Sequence, residues 1–209
     1  MNAESLKFLK LAALGVTTFV ASGDAGSNPD VSGHARGNDV VVEYEASDSS
    51  VLAVGGTSLQ FDPKTGRVMG ETAWDDSGGG VSQLTSRPQW QGPYSNISSS
   101  FRLVPDVSCV ADPIPGAFVI FNQKEYPVGG TSWSTPIWAG FAALIADMRQ
   151  RQGKAPLGFL APVLYNIPAS KGFRDITLGN NGAYHAGPGW DPVTGIGVPN
   201  LMGLIGALP

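Results

Sequence analysis

Apolar residues recur at helical spacing in two stretches and run together in several short ones, and this alternation outlines the chain. Over residues 3–14, Leu6, Leu9, Ala13 and Leu14 share one side of a helix, with Glu4, Lys7 and Lys10 on the other. Gly15 follows as a C-terminal stop. Val16 to Ala21 is a continuous apolar and β-branched run, the pattern of a buried parallel strand. Val51 to Val54 is a second such strand, closed by Gly55-Gly56-Thr57. Val104 to Ser108 is a third, with Asp106 expected to bond to loop backbone. Leu59–Phe61 and Arg67–Met69 flank Asp62-Pro63-Lys64-Thr65-Gly66 as a surface hairpin. Phe118–Phe121 and Tyr126–Val128 make another. The strongest helix runs from Ile137 to about Arg151, with Ile137, Phe141, Leu144, Ile145 and Met148 at helical spacing. Trp138, Ala139, Gly140, Ala142, Ala143 and Ala146 make its other faces apolar or small, so the pattern predicts a buried helix. Gly158–Tyr165 and Leu201–Leu208 read as two shorter helices.

Helix, glycine, buried strand is half of a β-α-β unit. The chain thus reads as an α/β fold that opens part-way through, with no strand before its first helix.

Composition narrows the class. The chain has 209 residues, 42% apolar and only 14% charged, with net charge −4. That is enough for one sizeable core, and with no linker in view residues 1–209 read as a single, partial domain. No basic run exists, which argues against nucleic-acid binding. No apolar run reaches membrane-spanning length. The charged residues within positions 1–20 do not fit a signal peptide. The single Cys109 can form no internal disulfide. Asn96-Ile97-Ser98 is a glycosylation sequon, meaningful for a protein secreted by a eukaryote.

The candidate chemistry clusters at element ends. Gly129-Gly130-Thr131-Ser132-Trp133-Ser134-Thr135-Pro136 precedes the strongest helix. Ser132 reads either as a simple N-cap or as a nucleophile at the positive end of a helix dipole inside the molecule. Asp24, in Ser22-Gly23-Asp24-Ala25-Gly26, ends the first strand, where ligand chemistry sits in open α/β sheets; a turn aspartate is the plainer reading. Gly78-Gly79-Gly80 lets backbone approach something closely, such as a substrate strand, or serves as a flexible turn. Asp175 and Asp191, with glycines near the second, offer oxygens of the kind hard cations take, or form an ordinary solvent-facing loop.

Taken together these segments resemble the sedolisins, the serine-carboxyl peptidases of the subtilisin-like fold. The resemblance rests on Ser22-Gly23-Asp24-Ala25-Gly26, Val54-Gly55-Gly56-Thr57, Trp74, Gly78-Gly79-Gly80-Val81-Ser82, Pro88-x-Trp90-Gln91, Val104-Pro105-Asp106-Val107, Ala111-Asp112-Pro113 and Gly130-Thr131-Ser132-x-Ser134-x-Pro136, in family order over essentially the whole chain. It implies a subtilisin-like, mostly parallel sheet with helices on both faces, here lacking its N-terminal strands. It implies Ser132 as the acylated nucleophile and Asp24 as a protonated acid in the oxyanion hole. It implies a calcium site from Asp175, Ile176, Gly187, Gly189 and Asp191, peptide or protein substrates, and secretion or lysosomal or vacuolar delivery. Gly78, Gly79 and Gly80 become substrate-binding candidates, and Glu43 falls near the wall of the family's primary specificity pocket.

One departure follows. The family's general-base Glu and its supporting Asp lie four residues apart on a helix well upstream of the oxyanion Asp. Here only residues 1–23 precede Asp24, and no Glu-x-x-x-Asp stands on a plausible helix. His34 and His185 do not complete a Ser-His-Asp triad. The expectations are therefore a C-terminal fragment or subunit of an acid endopeptidase or tripeptidyl peptidase whose N-terminal part lies on another chain or outside this sequence, a truncated, non-catalytic peptide-binding or regulatory relic, or another hydrolase, such as an esterase, using Ser132 with a different base.

Overall fold

A computed structural model describes residues 3–94 and 96–209. Helix α1 (Ala3–Ala13) turns through Gly15, φ 79°, into β1 (Thr18–Ala21). Strand β2 (Val51–Phe61) lies parallel to β1, with Thr18 opposite Val51 and Ala21 opposite Val54. β3 (Val68–Ala73) returns antiparallel along the far half of β2. β4 (Gly80–Ser86) and β5 (Phe101–Val104) form a separate antiparallel pair. β6 (Val107–Val110) is parallel to β2, with Val107 opposite Val54. Val54 thus pairs with Ala21 on one side and Val107 on the other. Thr57 pairs with both Ala73 and Val110, so β3 extends the β1 side of β2. The sheet is mostly parallel, as the apolar runs predict.

The hairpin of β7 (Ala117–Phe121) and β8 (Lys124–Val128) leads into α2 (Thr131–Arg151). α3 (Leu160–Tyr165), α4 (Ala169–Gly172), β9 (Phe173–Arg174), β10 (Val198–Pro199) and α5 (Leu201–Ala207) complete the chain, β9 and β10 pairing antiparallel. α2 packs on β1, β2 and β6. Its Trp138 and Ile145 join Leu52, Val54, Leu103, Leu164, Phe173 and Leu204 in the main core. The Trp138 indole donates to the Ser108 carbonyl at 2.9 Å.

Four expectations change. The second strand does not stop at Gly55-Gly56 but continues to Phe61. These glycines serve close packing: a Cβ at Gly55 would lie 2.6 Å from Ser108 Oγ, and one at Gly56 2.6 Å from Ala111 Cβ. β1, read as a buried strand, is only half-buried at every residue. α2 is buried along one stripe, Ser134, Trp138, Ile145 and Arg149, while Leu144 is 68% exposed; an all-round apolar pattern marks what a helix can bury, not what it does bury in this chain. Asp106, finally, bonds to far more than loop backbone. It takes both terminal guanidinium nitrogens of buried Arg102 at 2.7 Å, and also the Ala53 N–H, Gln91 and Tyr165. Burial opposes the Arg102 charge, but Asp106 outweighs it and raises the Arg102 pKa. Trp90 lies against the same guanidinium, 4.8 Å from ring centre to Cζ.

Candidate active site

The nucleophile segment differs from its expected layout in one useful way. The helix begins at Thr131, not Ile137, so Ser132 lies inside its first turn. Gly130, φ 95°, is the N-cap and offers no side chain to the orphan N–H groups. Asp24 supplies the acceptor instead: its Oδ1 takes the Thr131 N–H at 2.6 Å and the Thr131 hydroxyl at 2.7 Å. Thr131 Oγ1 in turn accepts from Gly23 N at 3.1 Å. A Cβ on Gly130 would lie 2.5 Å from Asp24 Oδ2, so only glycine lets the carboxyl approach the helix end. Pro136 has no N–H to return to the Ser132 carbonyl one turn back.

Asp24 and Ser132 are thus brought together at the carboxyl end of β1, and both side chains are exposed to solvent rather than enclosed. Ser134, two residues on, is buried and donates to the Gly55 carbonyl at 2.7 Å. That bond pins the first turn of α2 onto the sheet.

The three glycines lie behind Asp24. Gly78 N donates to the Gly23 carbonyl at 2.8 Å. A Cβ on Gly78 would collide with the Ser22 carbonyl, and one on Gly79 with the Pro192 carbonyl. All three are buried, so the close approach they permit is at least partly to the chain's own backbone. Glu43 lies close to Asp24. Its carboxyl packs on Gly23, where a Cβ would meet Oε1. Burial, then the charges of Glu45 and Asp24, push its pKa from 4.5 to about 7.

Asp175 and Asp191 approach one turn. Gly189 N donates to Asp175 Oδ2 at 2.8 Å, and Gly187 N to Asp191 Oδ2 at 3.2 Å. Asp191 Oδ1 holds the Val193 and Thr194 N–H groups at 2.9 Å each. Ile176, beside Asp175, is buried. Among the described residues no three His, Cys, Asp or Glu side chains converge as a metal cluster; the expected set contains only two carboxylates and depends on carbonyls. Asp191 is 4% exposed, and burial raises its pKa against the pull of its backbone bonds. Asp191 is held by three backbone N–H groups and the Thr194 hydroxyl, with no ion pair among the described residues, and such a buried carboxylate fits a place for a cation. Gly187 and Gly189 have open space on their Cβ sides.

Two other groups bear on function. Asn181 is fully buried at the meeting point of three loops, and no local pattern in the sequence singles it out. Glu71 and Asp75 have the Glu-x-x-x-Asp spacing, but Glu71 lies on β3 and is engaged by Thr57 and Arg174. His34 is an exposed loop residue, and His185 sits in a bridge with Asn180, within the Asp175–Asp191 segment.

No protein-family model matches the chain. Kumamolisin from Bacillus sp. (strain MN-32) is 42% identical over 219 residues, covering 96% of this chain and 38% of kumamolisin. Human tripeptidyl-peptidase 1 is 36% identical over 228 residues, covering 97% of this chain and 39% of that protein. Among solved structures, Pseudomonas sedolisin, a serine-carboxyl proteinase complexed with pseudo-iodotyrostatin, superposes with TM-score 0.85 at 33% identity, covering 98% of this chain and 58% of that one. The fold and its match to these proteins define an α/β protein of the subtilisin-like serine peptidase class. The chain belongs to the sedolisin family, the serine-carboxyl peptidases. It spans less than two-fifths of kumamolisin and of tripeptidyl-peptidase 1. Among the described residues no helix is long and apolar enough to cross a membrane.

Proposed function

We propose that this chain is the nucleophile-bearing part of an acid serine peptidase that hydrolyses peptide bonds. The observation that carries the reading is the Asp24 carboxyl clasped to Thr131, on the turn that presents Ser132. In the proposed reaction Ser132 Oγ attacks the substrate carbonyl and loses its proton to a glutamate base. The carbonyl oxygen becomes an oxyanion, stabilised by a hydrogen bond from protonated Asp24. Collapse expels the amine, which takes up the proton, and leaves an acyl ester on Ser132. Water then repeats the sequence, releasing the carboxylic acid and restoring Ser132. A carboxylate base and a protonated Asp24 both call for acidic operation.

Residues 1–209 carry no helical Glu-x-x-x-Asp pair of the family's kind to act as that base. Asp24 cannot serve, because donating to the oxyanion requires it neutral and accepting the Ser132 proton requires it ionised. The base is assigned to the family's Glu/Asp pair, on an N-terminal segment outside residues 1–209. A docking place supports this partner. β1 pairs with β2 and, among the described residues, with no other strand. Beside it lies a largely apolar groove of about 750 Å³, lined by Phe19, Ala142, Ile145, Leu157 and Leu160 among others. Gly78–Gly80 with β4 would hold the substrate backbone, and Glu43 would wall the primary specificity pocket. Calcium would sit at Asp175, Asp191 and the carbonyls of Ile176, Gly187 and Gly189. There it would offset buried negative charge and tie the C-terminal loops together. Secretion, or lysosomal or vacuolar delivery, completes the reading.

The test is reconstitution at about pH 4, where Asp and Glu reference values fall. The 209-residue chain is assayed alone and with a separately made Glu/Asp segment. Cleavage only in the mixture, abolished by Ser132→Ala, is expected. Ser132-dependent cleavage by the lone chain would overturn the assignment of the base. A mixture that associates but stays inert would favour the non-catalytic, peptide-binding reading, for which the missing base is the supporting observation.

A further inference from the structure

The Asp24 turn is held from behind by one buried side chain. Asn181 is fully buried. Its carbonyl accepts Ser27 N at 2.9 Å, three residues from Asp24. Its side-chain amide donates to the Ser77 carbonyl at 3.1 Å and leans toward the Pro192 carbonyl at 3.4 Å. Its Oδ1 accepts Tyr184 N at 3.3 Å. Ser27 Oγ takes the next amide of the same loop, Ala183 N, at 2.9 Å. A Cβ on Gly26 would strike the Asn181 carbonyl, so the two segments are in full backbone contact.

Each partner leads somewhere. Pro192 directly follows Asp191, whose carboxylate fixes Val193 and Thr194. Ser77 donates its hydroxyl to the Val193 carbonyl at 3.0 Å and accepts Gly56 N at 2.9 Å. Gly78, next to it, reaches Gly23. The Asp191 loop, the Ser77–Gly80 segment and the Asp24 turn therefore meet at Asn181 through direct hydrogen bonds. A shift of Pro192 that accompanies cation binding must either strand a buried amide donor or carry Asn181 with it. Stranding that donor is costly enough for movement to be preferred.

We propose that Asn181 is a positioning residue that couples cation binding at the Asp175–Asp191 loop to the Asp24–Thr131 contact. The proposal rests on the calcium reading above, and the experiment separates the two. Calcium affinity of the 209-residue chain is measured by calorimetry. In parallel, hydrogen exchange of the Thr131 amide is followed by NMR with and without saturating calcium, at fixed pH. In the wild type, calcium should slow Thr131 exchange about tenfold, within the usual range for coupled sites. In Asn181→Ala, calcium should still bind but change that exchange less than about twofold, the coupling having been cut. A purely structural Asn181 would lower calcium affinity or overall protection and leave the calcium response of Thr131 intact. If Asn181→Ala does not fold, Asn181→Asp keeps the shape and the acceptor for Tyr184 while losing both donated bonds. It should show the same loss of response. An undiminished response in either folded variant overturns the proposal, as does a wild type whose Thr131 ignores bound calcium. No calcium binding by the wild type overturns it too, and with it the metal reading.

Discussion

One oxygen of Asp24, Oδ1, accepts both the backbone N–H and the hydroxyl of Thr131, the residue immediately before Ser132. The carboxyl that ends β1 thus caps the helix carrying the serine, a task that the N-cap Gly130 cannot perform. A carboxylate at a helix N-terminus also meets the positive end of the helix dipole. Asp24→Ala should therefore destabilise the chain by about 1 kcal/mol, less than a buried charged hydrogen bond contributes, because Asp24 faces solvent. Asp24→Asn keeps an acceptor and should lose less. Urea unfolding of the three proteins at pH 7 checks this; equal midpoints would mean that the clasp contributes nothing.

Glu43 gives stability a pH dependence of definite sign. Its folded pKa is raised from 4.5 to about 7, so between those values the folded chain binds more protons than the unfolded one. Its contribution is present in full below about pH 4.5 and is lost as pH rises through about 7. Asp191, raised by burial, acts in the same direction. The unfolding midpoint should fall from pH 4.5 to 7.5, and Glu43→Gln should flatten that fall. A Glu43→Gln profile parallel to the wild type would remove Glu43 as the cause. An acid-favouring carboxyl beside Asp24 also suits a site proposed to work at low pH.

The Arg102–Asp106 pair is fully enclosed with Gln91 and Tyr165. Removing one member of a buried pair leaves the other uncompensated, at a cost of about 3–5 kcal/mol. Arg102→Ala should show such a loss in urea unfolding, unless the chain fails to fold. Arg102→Met, which fills more of the space but supplies no charge, should be nearly as damaging because Asp106 stays buried. A loss below about 1 kcal/mol for both would show that the pair contributes little to stability.

Much of this was legible in the sequence because the informative features are local. The β-branched runs marked the parallel strands, and the helix following Gly-Thr-Ser placed Ser132 at a helix start. Asp24 was marked by its glycines at a strand end. What could not be read depends on partners distant in the chain. Gly55-Gly56 looks like a stop until Ser108 and Ala111 are seen against it. Asp106 looks like a loop acceptor until Arg102 and Tyr165 close around it. Asn181 has no local pattern, since all its meaning lies in Ser27, Ser77 and Pro192. The burial of β1 and α2 was overestimated because an apolar pattern records the capacity for burial, not what the rest of the chain covers.

Calcium should stabilise the chain by mass action. At free calcium 100 times the dissociation constant, a single site adds about 2.7 kcal/mol. Asp175 is exposed, so Asp175→Asn should leave the calcium-free protein almost unchanged and remove most of the calcium effect. Thermal scans with calcium and with a chelator measure both. Identical midpoints in the wild type would mean that Asp175 and Asp191 hold no cation.

The isolated chain should also associate with itself, and its surface says where. Leu6, Leu9 and Leu14 of the first helical segment are 45%, 44% and 79% exposed, and Val16 is 46% exposed. They adjoin a β1 edge that pairs with no strand among the described residues, and the groove containing Phe19 and Ala142. Exposed apolar area next to free strand hydrogen-bonding groups is a ready template for another chain. The β7–β8 hairpin is a rival, with Phe118 and Ile120 67% and 73% exposed. Its two strands already pair with each other, whereas β1 combines a free edge with a concave apolar wall, so the β1 surface should dominate. Sedimentation velocity over a concentration series should show species heavier than the 21.7 kDa monomer. Ala142→Glu, which places a charge in the groove, should shift the chain toward monomer, while the pair Phe118→Glu and Ile120→Lys should have little effect. The opposite ranking would assign self-association to the hairpin and leave the groove without a demonstrated affinity for any strand.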